Sequence, residues 1–251
     1  MIMKIDFISL FPDFIRAFFS QSMIKRAIEA GLIHMDVTDP RAYTKSRHGQ
    51  VDDTIYGGGA GMLMMCQPLF DAVHAVLPEK QPRSRIIFLS PAGKTFDQDK
   101  AKQLARDYDH LLLICGHYEG VDHRVEEHLA DELLSIGDYV LTGGELGAMV
   151  VADAVARMIP GVLGDAGSAA SDSFYEPILE YPQYTKPAEY NGWRVPEELL
   201  SGHHANIARW RRKEALRRTL LCRPDLLEKL SMTREDKILM EEILREEKEG
   251  R

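Results

Sequence analysis

IGDYVLTGGELGAM, residues 136–149, decides how this chain is read. An apolar, β-prone run ends at Thr142, two glycines follow, and a helical pattern begins at Glu145. Glycines between a strand and a helix commonly cradle a phosphate. Here an acid stands at the helix start, where it satisfies the helix N-terminus and repels a phosphate, and no lysine follows. The bare backbone at Gly143 and Gly144 therefore suits a neutral or cationic ligand with hydrogen-bonding edges. A second stretch, ICGHYEGVD (114–122), has the same character, with Gly116 and Gly120 and no Lys or Arg. Two such strand ends suggest an adenosine-like pocket without polyphosphate. Two ordinary βα turns are the competing reading, and residue chemistry alone leaves both open.

Outward from this stretch, short β-rich runs alternate with helical patterns to about residue 160: IDFISLF (5–11), IHMDV (33–37), RIIFLS (85–90), HLLLICG (110–116) and LLSIGDYVLT (133–142). Several are almost continuously apolar, as parallel strands covered on both faces are. Residues 13–30 carry Phe14, Ile15, Phe18, Ile24, Ala27 and Ile28 at helical spacing, with Gly31 as the expected C-cap. Thr95 and Gln98 are spaced as a capping box for the next helix. The alternation predicts an α/β fold, a parallel sheet with helices on both faces. After Pro160 the character changes. GVLGDAGSAASDS (161–173) reads as a mobile linker, FYEPILEYPQYTKPAEYNGW as too irregular for a core element, and the chain from Pro196 as helical. The expected division is a first domain over 1–161, a linker over 162–174 and a small helical domain over 175–251.

Composition narrows the class. The 251 residues, 45% of them apolar, suffice for a substantial core without a staple. The three cysteines, Cys66, Cys115 and Cys222, form no Cys-x-x-Cys pair and are an odd number, so a reduced, cytosolic protein is expected. No apolar run is long enough to span a bilayer. MIMKIDFISLF reads as a first strand rather than a secretion signal. The net charge of −8 argues mildly against a nucleic-acid partner, but its distribution argues the other way. RWRRKEALRR (209–218) is a dense basic run with one acid, while acids gather in EDKILMEEILREEKE at the C-terminus.

Several motifs are decoys. RIIFLSPAGKTF presents Gly93-Lys94-Thr95 after a strand, but a P-loop needs another glycine where Phe88 stands. A tight turn with a solvated lysine is the preferred reading. YGGGAGM (56–62) misses the dinucleotide spacing by one residue, and the polar VDDTI before it is not strand-like, so a loop with positive φ angles is expected. Such a loop is still able to clamp a ligand. His203-His204 and the pair His123 and His128 have poor metal-ligand spacing, and surface or capping roles are preferred. There is no Gly-x-Ser-x-Gly elbow.

At these residues a resemblance emerges. ISLFP (8–12), VDDTIYGGGAGM (51–62), LSPAGKTFDQ (89–98), CGHYEGVD (115–122), SIGDYVLTGGEL (135–146), DAVARMIPGVLG (153–164), DSF (172–174), YPQYT (181–185), VPEELLSGHH (195–204) and Trp210-Arg211 occur in order. The chain thus resembles the bacterial tRNA (guanosine(37)-N1)-methyltransferase family of the SPOUT superfamily. The resemblance implies a SPOUT-type knotted parallel sheet, its knot loops binding S-adenosylmethionine, with a small helical C-terminal domain. It implies methyl transfer to N1 of the guanosine at position 37, beside the anticodon of tRNA, by a homodimer with its active site at the subunit interface, and a dependence on Mg²⁺ with no metal site assigned.

Carried onto this sequence, the cofactor contacts implied are Leu89, Ser90 and Pro91; Gly116, Tyr118, Glu119 and Gly120; and Ile136, Gly137, Asp138, Tyr139, Val140, Leu141, Gly143 and Gly144. Glu119 is a candidate for the methionine amine or the ion. The resemblance makes Asp172 the base that removes the guanine N1 proton and Arg157 its electrostatic partner. From spacing alone, Arg157 would pair with Asp153 at i,i+4 and Asp172 would cap a turn ahead of Phe174. Candidate tRNA contacts are Gly59, Ser201, His203, Arg209, Arg211 and Arg212. Trp210 is read as a core residue ahead of a stacking platform. His123 stands where the family has glutamate, His117 where arginine is frequent, and Ala169-Ala170-Ser171 where acids are frequent. Two alternatives are an RNA-binding module without catalytic activity and a purine-nucleotide enzyme built on Gly93-Lys94-Thr95.

Overall fold

The apolar runs pair in parallel. In a computed structural model describing residues 2–164 and 171–249, β1 (Met3–Ile8) is flanked by β2 (Ile33–Thr38) and by a later strand, His110–Ile114. The chain divides into two compact units, Met1–Ala166 and Gly167–Arg251. In the first, α1 (Pro12–Phe19) and α2 (Ser22–Glu29) separate β1 from β2. The helical pattern over 13–30 is therefore two helices. Ser20 ends the first by turning its hydroxyl onto the Ala17 carbonyl at 2.8 Å, and Ser22 reopens the chain at φ +52°. Gly31 lies one residue past the C-cap at φ +68°, where its N–H meets Ile28 O and the Leu32 N–H meets Ala27 O, a Schellman closure.

Next come a short hairpin, β3 (Asp52–Thr54) with β4 (Met62–Met64), and α3 (Cys66–Val76). The polar VDDTI thus does contain a strand, held by backbone pairing that no apolar alternation announces. The glycines between its arms have the expected positive φ, Gly57 +85°, Gly58 +84°, Gly59 +147° and Gly61 +79°. β5 runs Ser84–Thr95, well beyond the expected Ser90. α4 (Gln98–Asp107), β6 (His110–Ile114), α5 (His123–His128), β7 (Glu132–Ser135) and α6 (Glu145–Ala156) complete the unit. The sheet order is β2-β1-β6-β5-β7, with every neighbouring pair parallel.

Both faces are covered, which explains the continuous apolar runs. On β6, Leu111 and Leu113 enter one core with Ile15, Ile24, Leu104 and Val151, while Leu112 and Ile114 enter the other with Leu69, Val73 and Val125. Val162, first residue of the expected linker, is buried in the former core. The part of that linker at 165–170 lies outside the described residues.

Two local expectations fail for one reason. Gly93-Lys94-Thr95 is not a tight turn: β5 shifts register after Leu89, and Lys94 and Thr95 pair with Leu134 and Ser135 of β7. A Cβ on Gly93 would lie 2.5 Å from the Leu133 carbonyl carbon and the Leu134 nitrogen, so the two backbones touch there. Because Thr95 is still in the strand, it caps nothing; Asp97 caps α4, its carboxylate accepting from Lys100 N at 2.8 Å. Likewise LLSIGDYVLT is strand only to Ser135, and residues 136–142 form a loop with Val140 91% exposed.

The second unit is mainly helical: a two-residue-armed hairpin, β8 (Glu189–Tyr190) with β9 (Trp193–Arg194), then α7 (Glu197–Leu200), α8 (His204–Cys222), α9 (Pro224–Leu227) and α10 (Arg234–Glu249). Its core joins Ala215 and Leu216 of α8 to Leu239 and Ile243 of α10 and to Ile178, so the irregular Pro- and Tyr-rich stretch does supply a core residue. A capping box sits at the start of α10: Thr233 Oγ1 accepts from Asp236 N (3.1 Å) and an Asp236 oxygen accepts from Thr233 N (2.9 Å).

Asp236 also receives Arg212 at 2.7 and 3.0 Å, and this guanidinium holds its carboxyl down to about 2. A carboxylate depressed in the folded state adds stability that is complete above its unfolded pKa of about 3.9 and lost as pH falls toward the folded value. The second unit should therefore lose on the order of 1–2 kcal/mol between about pH 4 and 2 through this group. Denaturant titration of the wild type and Asp236→Asn across that range measures it. The two curves should converge at the acid end.

Candidate active site

The register break of β5 and the C-terminal ends of β6 and β7 open into one cleft of about 410 Å³. Ligands in open α/β sheets bind at such strand ends. One wall is the β5 irregularity, Leu89, Ser90 and Pro91. A second is the loop after β6, with Gly116, His117, Tyr118, Glu119 and Gly120. The third is the loop from β7 to α6, with Ile136, Gly137, Tyr139, Val140, Leu141, Thr142, Gly143 and Gly144. Every cofactor residue named from the sequence lines this cleft except Asp138. Phe88, His117, Val121, Glu126, Leu134, Ser135 and Gly147 line it too, as does Leu63 of β4. Leu63 and Glu126 carried no local signal, because hairpin pairing and the seating of α5 bring them in.

The loops are held by backbone. Gly144 N donates to Gly116 O at 2.8 Å, tying the start of α6 to the end of β6. A Cβ at Gly144 would lie 2.9 Å from Cys115 Cα and from Gly116 N, so only glycine lets the helix start there. Ser135 Oγ and Gly137 exchange hydrogen bonds of 3.2 Å that turn the chain out of β7. Beneath this turn Glu145 is buried at the first position of α6 and accepts from Ser9 Oγ at 2.9 Å. Burial, and secondarily the charge of Glu145, push the Cys115 thiol well up, so it stays protonated.

The charge pattern of the cleft is one-sided. Glu119 and Glu126 line it, and among the described residues no Lys or Arg does. His117 Nδ1 is buried without a hydrogen-bond partner among the described residues. His117 packs edge-on against Phe11, ring centres 4.8 Å apart. Such a site disfavours polyphosphate. It suits a ligand with an apolar body, hydrogen-bonding edges and positive charge. S-adenosylmethionine fits on all three counts, with an adenine for the backbone edges and a sulfonium and an ammonium for the carboxylates. For a divalent metal the fit is poor: no group of three or more His, Cys, Asp or Glu among the described residues is gathered to hold one.

Arg157 is the C-cap of α6, in the first unit. Burial raises the Asp153 carboxyl, and the charge of Arg157 works against that rise. Asp172 belongs to the second unit, half-exposed, its carbonyl accepting from Tyr175 N at 3.3 Å. The candidate tRNA contacts fall in both units. Gly59 lies in the β3–β4 loop. Ser201 caps the end of α7, its hydroxyl donating to Glu198 O at 2.7 Å, and His203 caps the start of α8.

The basic run needs a larger correction. α10 lays its acids along α8. Arg209 pairs with Glu242, Arg212 with Asp236 and Glu176, Lys213 with Glu242 and Glu246, and Arg217 with Glu214, Glu246 and Glu247. The two charge blocks seen in the sequence therefore largely neutralise each other. Arg211 and Arg218 remain exposed, Arg211 over the Tyr181 ring at 5.0 Å and Arg218 donating to Glu180 O at 3.3 Å. Trp210 is neither core nor free platform. It is half-buried beside Tyr184, ring centres 6.4 Å apart, while Trp193 of β9 is 72% exposed.

No helix among the described residues is long and apolar enough to cross a membrane. The chain matches the family model described as tRNA (Guanine-1)-methyltransferase TrmD over residues 3–229. It is 53% identical over 245 residues to a tRNA (guanine-N(1)-)-methyltransferase of Dehalococcoides mccartyi, covering 98% of each chain. To proteins of the same name it is 51% identical in Halalkalibacterium halodurans (98% and 99% covered) and 53% in Brevibacillus brevis (98% and 100%). With the ordered motifs and the glycine-walled cleft in place over nearly the whole length, the chain belongs to the tRNA (Guanine-1)-methyltransferase family.

Proposed function

We propose that this chain transfers a methyl group from S-adenosylmethionine to N1 of guanosine 37 in tRNA. The observation that carries the reading is the cleft itself, lined by glycines of the loops after β6 and β7 and by two carboxylates, with no lysine or arginine among the described residues that line it. When bound, the donor supplies a methyl carbon whose bond to sulfur breaks as the bond to N1 forms, leaving a neutral thioether. The wall residues of β5, β6 and the 136–144 loop bind and orient the adenosyl group and exclude water. Guanine N1 carries a proton and is a poor nucleophile, so Asp172 accepts that proton as attack proceeds. Charge developing toward O6 is stabilised by Arg157. The target base leaves its stack to reach the cleft.

The division of labour follows the same proposal: donor binding by 1–161, a linker over 162–174, tRNA binding by 175–251. The knotted threading implied by the family belongs to the same proposal. A homodimer with its active site at the subunit interface is supported by exposed apolar side chains on α1 and α6, namely Phe14, Leu146 and Val150, and on the cleft loop, Tyr139 and Val140. A second copy would cover them. The cytoplasm is the proposed location, where tRNA is found. The Mg²⁺ dependence implied by the resemblance is part of the proposal and is assigned to no protein cage.

Labelled-methyl transfer to an unmodified tRNA transcript tests the activity, beside a transcript with the guanine at that position replaced. Incorporation only into the first is expected. Binding without transfer would favour the inactive RNA-binding module. A tRNA-facing role for the exposed cations predicts that Arg211→Ala weakens tRNA binding several-fold and lowers the slope of log affinity against log salt by about 1. Filter binding at a series of salt concentrations reads both. Arg212→Ala is the poorer probe, since it also breaks the bond to Asp236.

A further inference from the structure

We infer that Glu126 makes the cleft prefer the charged methyl donor over its neutral-sulfur product; this rests on the reading of the cleft as the S-adenosylmethionine site. Glu126 projects from α5, which is anchored by buried Val125. One of its carboxylate oxygens receives Ser90 Oγ at 3.4 Å, and Ser90 is fixed in turn by Ala92 N at 3.2 Å. The other oxygen faces His123 Nδ1 at 3.6 Å on the exposed side. The nearest arginine of α5, Arg124, is engaged by both oxygens of Asp122 at 2.8 and 2.6 Å, so it does not neutralise Glu126.

Glu119, the other carboxylate of the lining, is held differently. Its side chain lies against Gly61 of the β3–β4 loop, where a Cβ would come within 2.7 Å of its Oε1, and it is exposed. Glu126 is thus the carboxylate fixed inside the cleft, against a wall that reaches from Ser90 to Gly120 and Val121. The donor carries a sulfonium, an ammonium and a carboxylate, net +1. The product has lost the sulfonium charge and is net neutral. A fixed negative charge in the lining favours the form that carries the extra positive charge, while the adenosine and amino-acid groups are common to both forms. Glu126 is a specificity-determining residue whose work is to favour donor entry and product exit.

The test is calorimetric titration of the full-length protein, wild type and Glu126→Gln, with S-adenosylmethionine, S-adenosylhomocysteine and sinefungin, which has an amine in place of the methylsulfonium. Glu126→Gln should weaken the donor and sinefungin about fivefold or more and the thioether product less than twofold. Ser90→Ala, which frees the carboxylate, should lower the same preference by a smaller factor, and it serves if Glu126→Gln melts early. Parallel weakening of all three ligands, or no change in any, overturns the inference while the donor-site reading stands. Failure of the wild type to bind any of them overturns both.

Discussion

Asp172→Ala is expected to lower single-turnover methyl transfer by about 10²–10⁴-fold, the range for loss of a positioned proton acceptor, with donor affinity within about twofold of wild type. The two halves of this expectation have separate physical sources. Asp172 belongs to the second unit, while the walls of the proposed donor cleft come from the first, so truncating Asp172 removes no cleft-lining group. What is lost is the proposed acceptor for the N1 proton. Asp172→Asn separates charge from shape and should be almost as slow. Rates from single-turnover assays with saturating tRNA, beside donor titrations on the same variants, decide the matter. A large loss of donor affinity, or turnover near wild type, would remove Asp172 from the role of base.

Gly93→Ala should be the most damaging single methyl group in the first unit. The added carbon would sit 2.5 Å from the Leu133 carbonyl carbon and Leu134 nitrogen and 2.6 Å from the Leu133 oxygen. These are backbone atoms inside the β5–β7 ladder, so no side-chain rotation relieves the clash. Overpacking of this kind costs about 3 kcal/mol or more when the backbone must move. For a unit of this size that lowers the melting temperature by about 6–12 °C. The same shift would displace Ser90 and Pro91, so donor binding should fall with stability. Gly164→Ala, whose Cβ meets nothing within 4 Å, is the control and should stay within about 0.5 kcal/mol. Thermal melts of the three proteins test this directly. Equal melting of Gly93→Ala and wild type would mean that the two strands do not touch at this point.

The pattern of readable and unreadable features is physical. Leu111 to Ile114 are legible as a doubly covered strand because each successive side chain enters an opposite core, and an unbroken apolar run is the only sequence that satisfies both. Gly31 is legible because its positive φ is a local requirement. The strand across Gly93-Lys94-Thr95 is not, since its partner is β7, 40 residues on at Leu134, and only pairing makes it a strand. The same holds for β3, polar in sequence yet bound to β4. Tyr139, Val140 and Leu141 mislead in the opposite direction: they have strand-like side chains but stand exposed in a cleft loop. The cleft lining is legible partly in the glycines after β6 and β7 and for the rest only through resemblance over ordered motifs. Glu126 and Leu63 line the cleft but belong to no motif, so the sequence does not report them.

What the amino-acid order determined by itself is therefore the alternation of layers, the glycine-bearing strand ends and the absence of cations near them, because each is set within a few residues by burial, φ or charge. What only the tertiary structure decided is which charges survive and which backbones meet. α10 cancels most of the basic run on α8 across some thirty residues of sequence, and β7 turns a glycine loop into a strand. Both are pairings between distant segments, and electrostatic and hydrogen-bond partners are chosen by proximity in space, which local sequence does not encode.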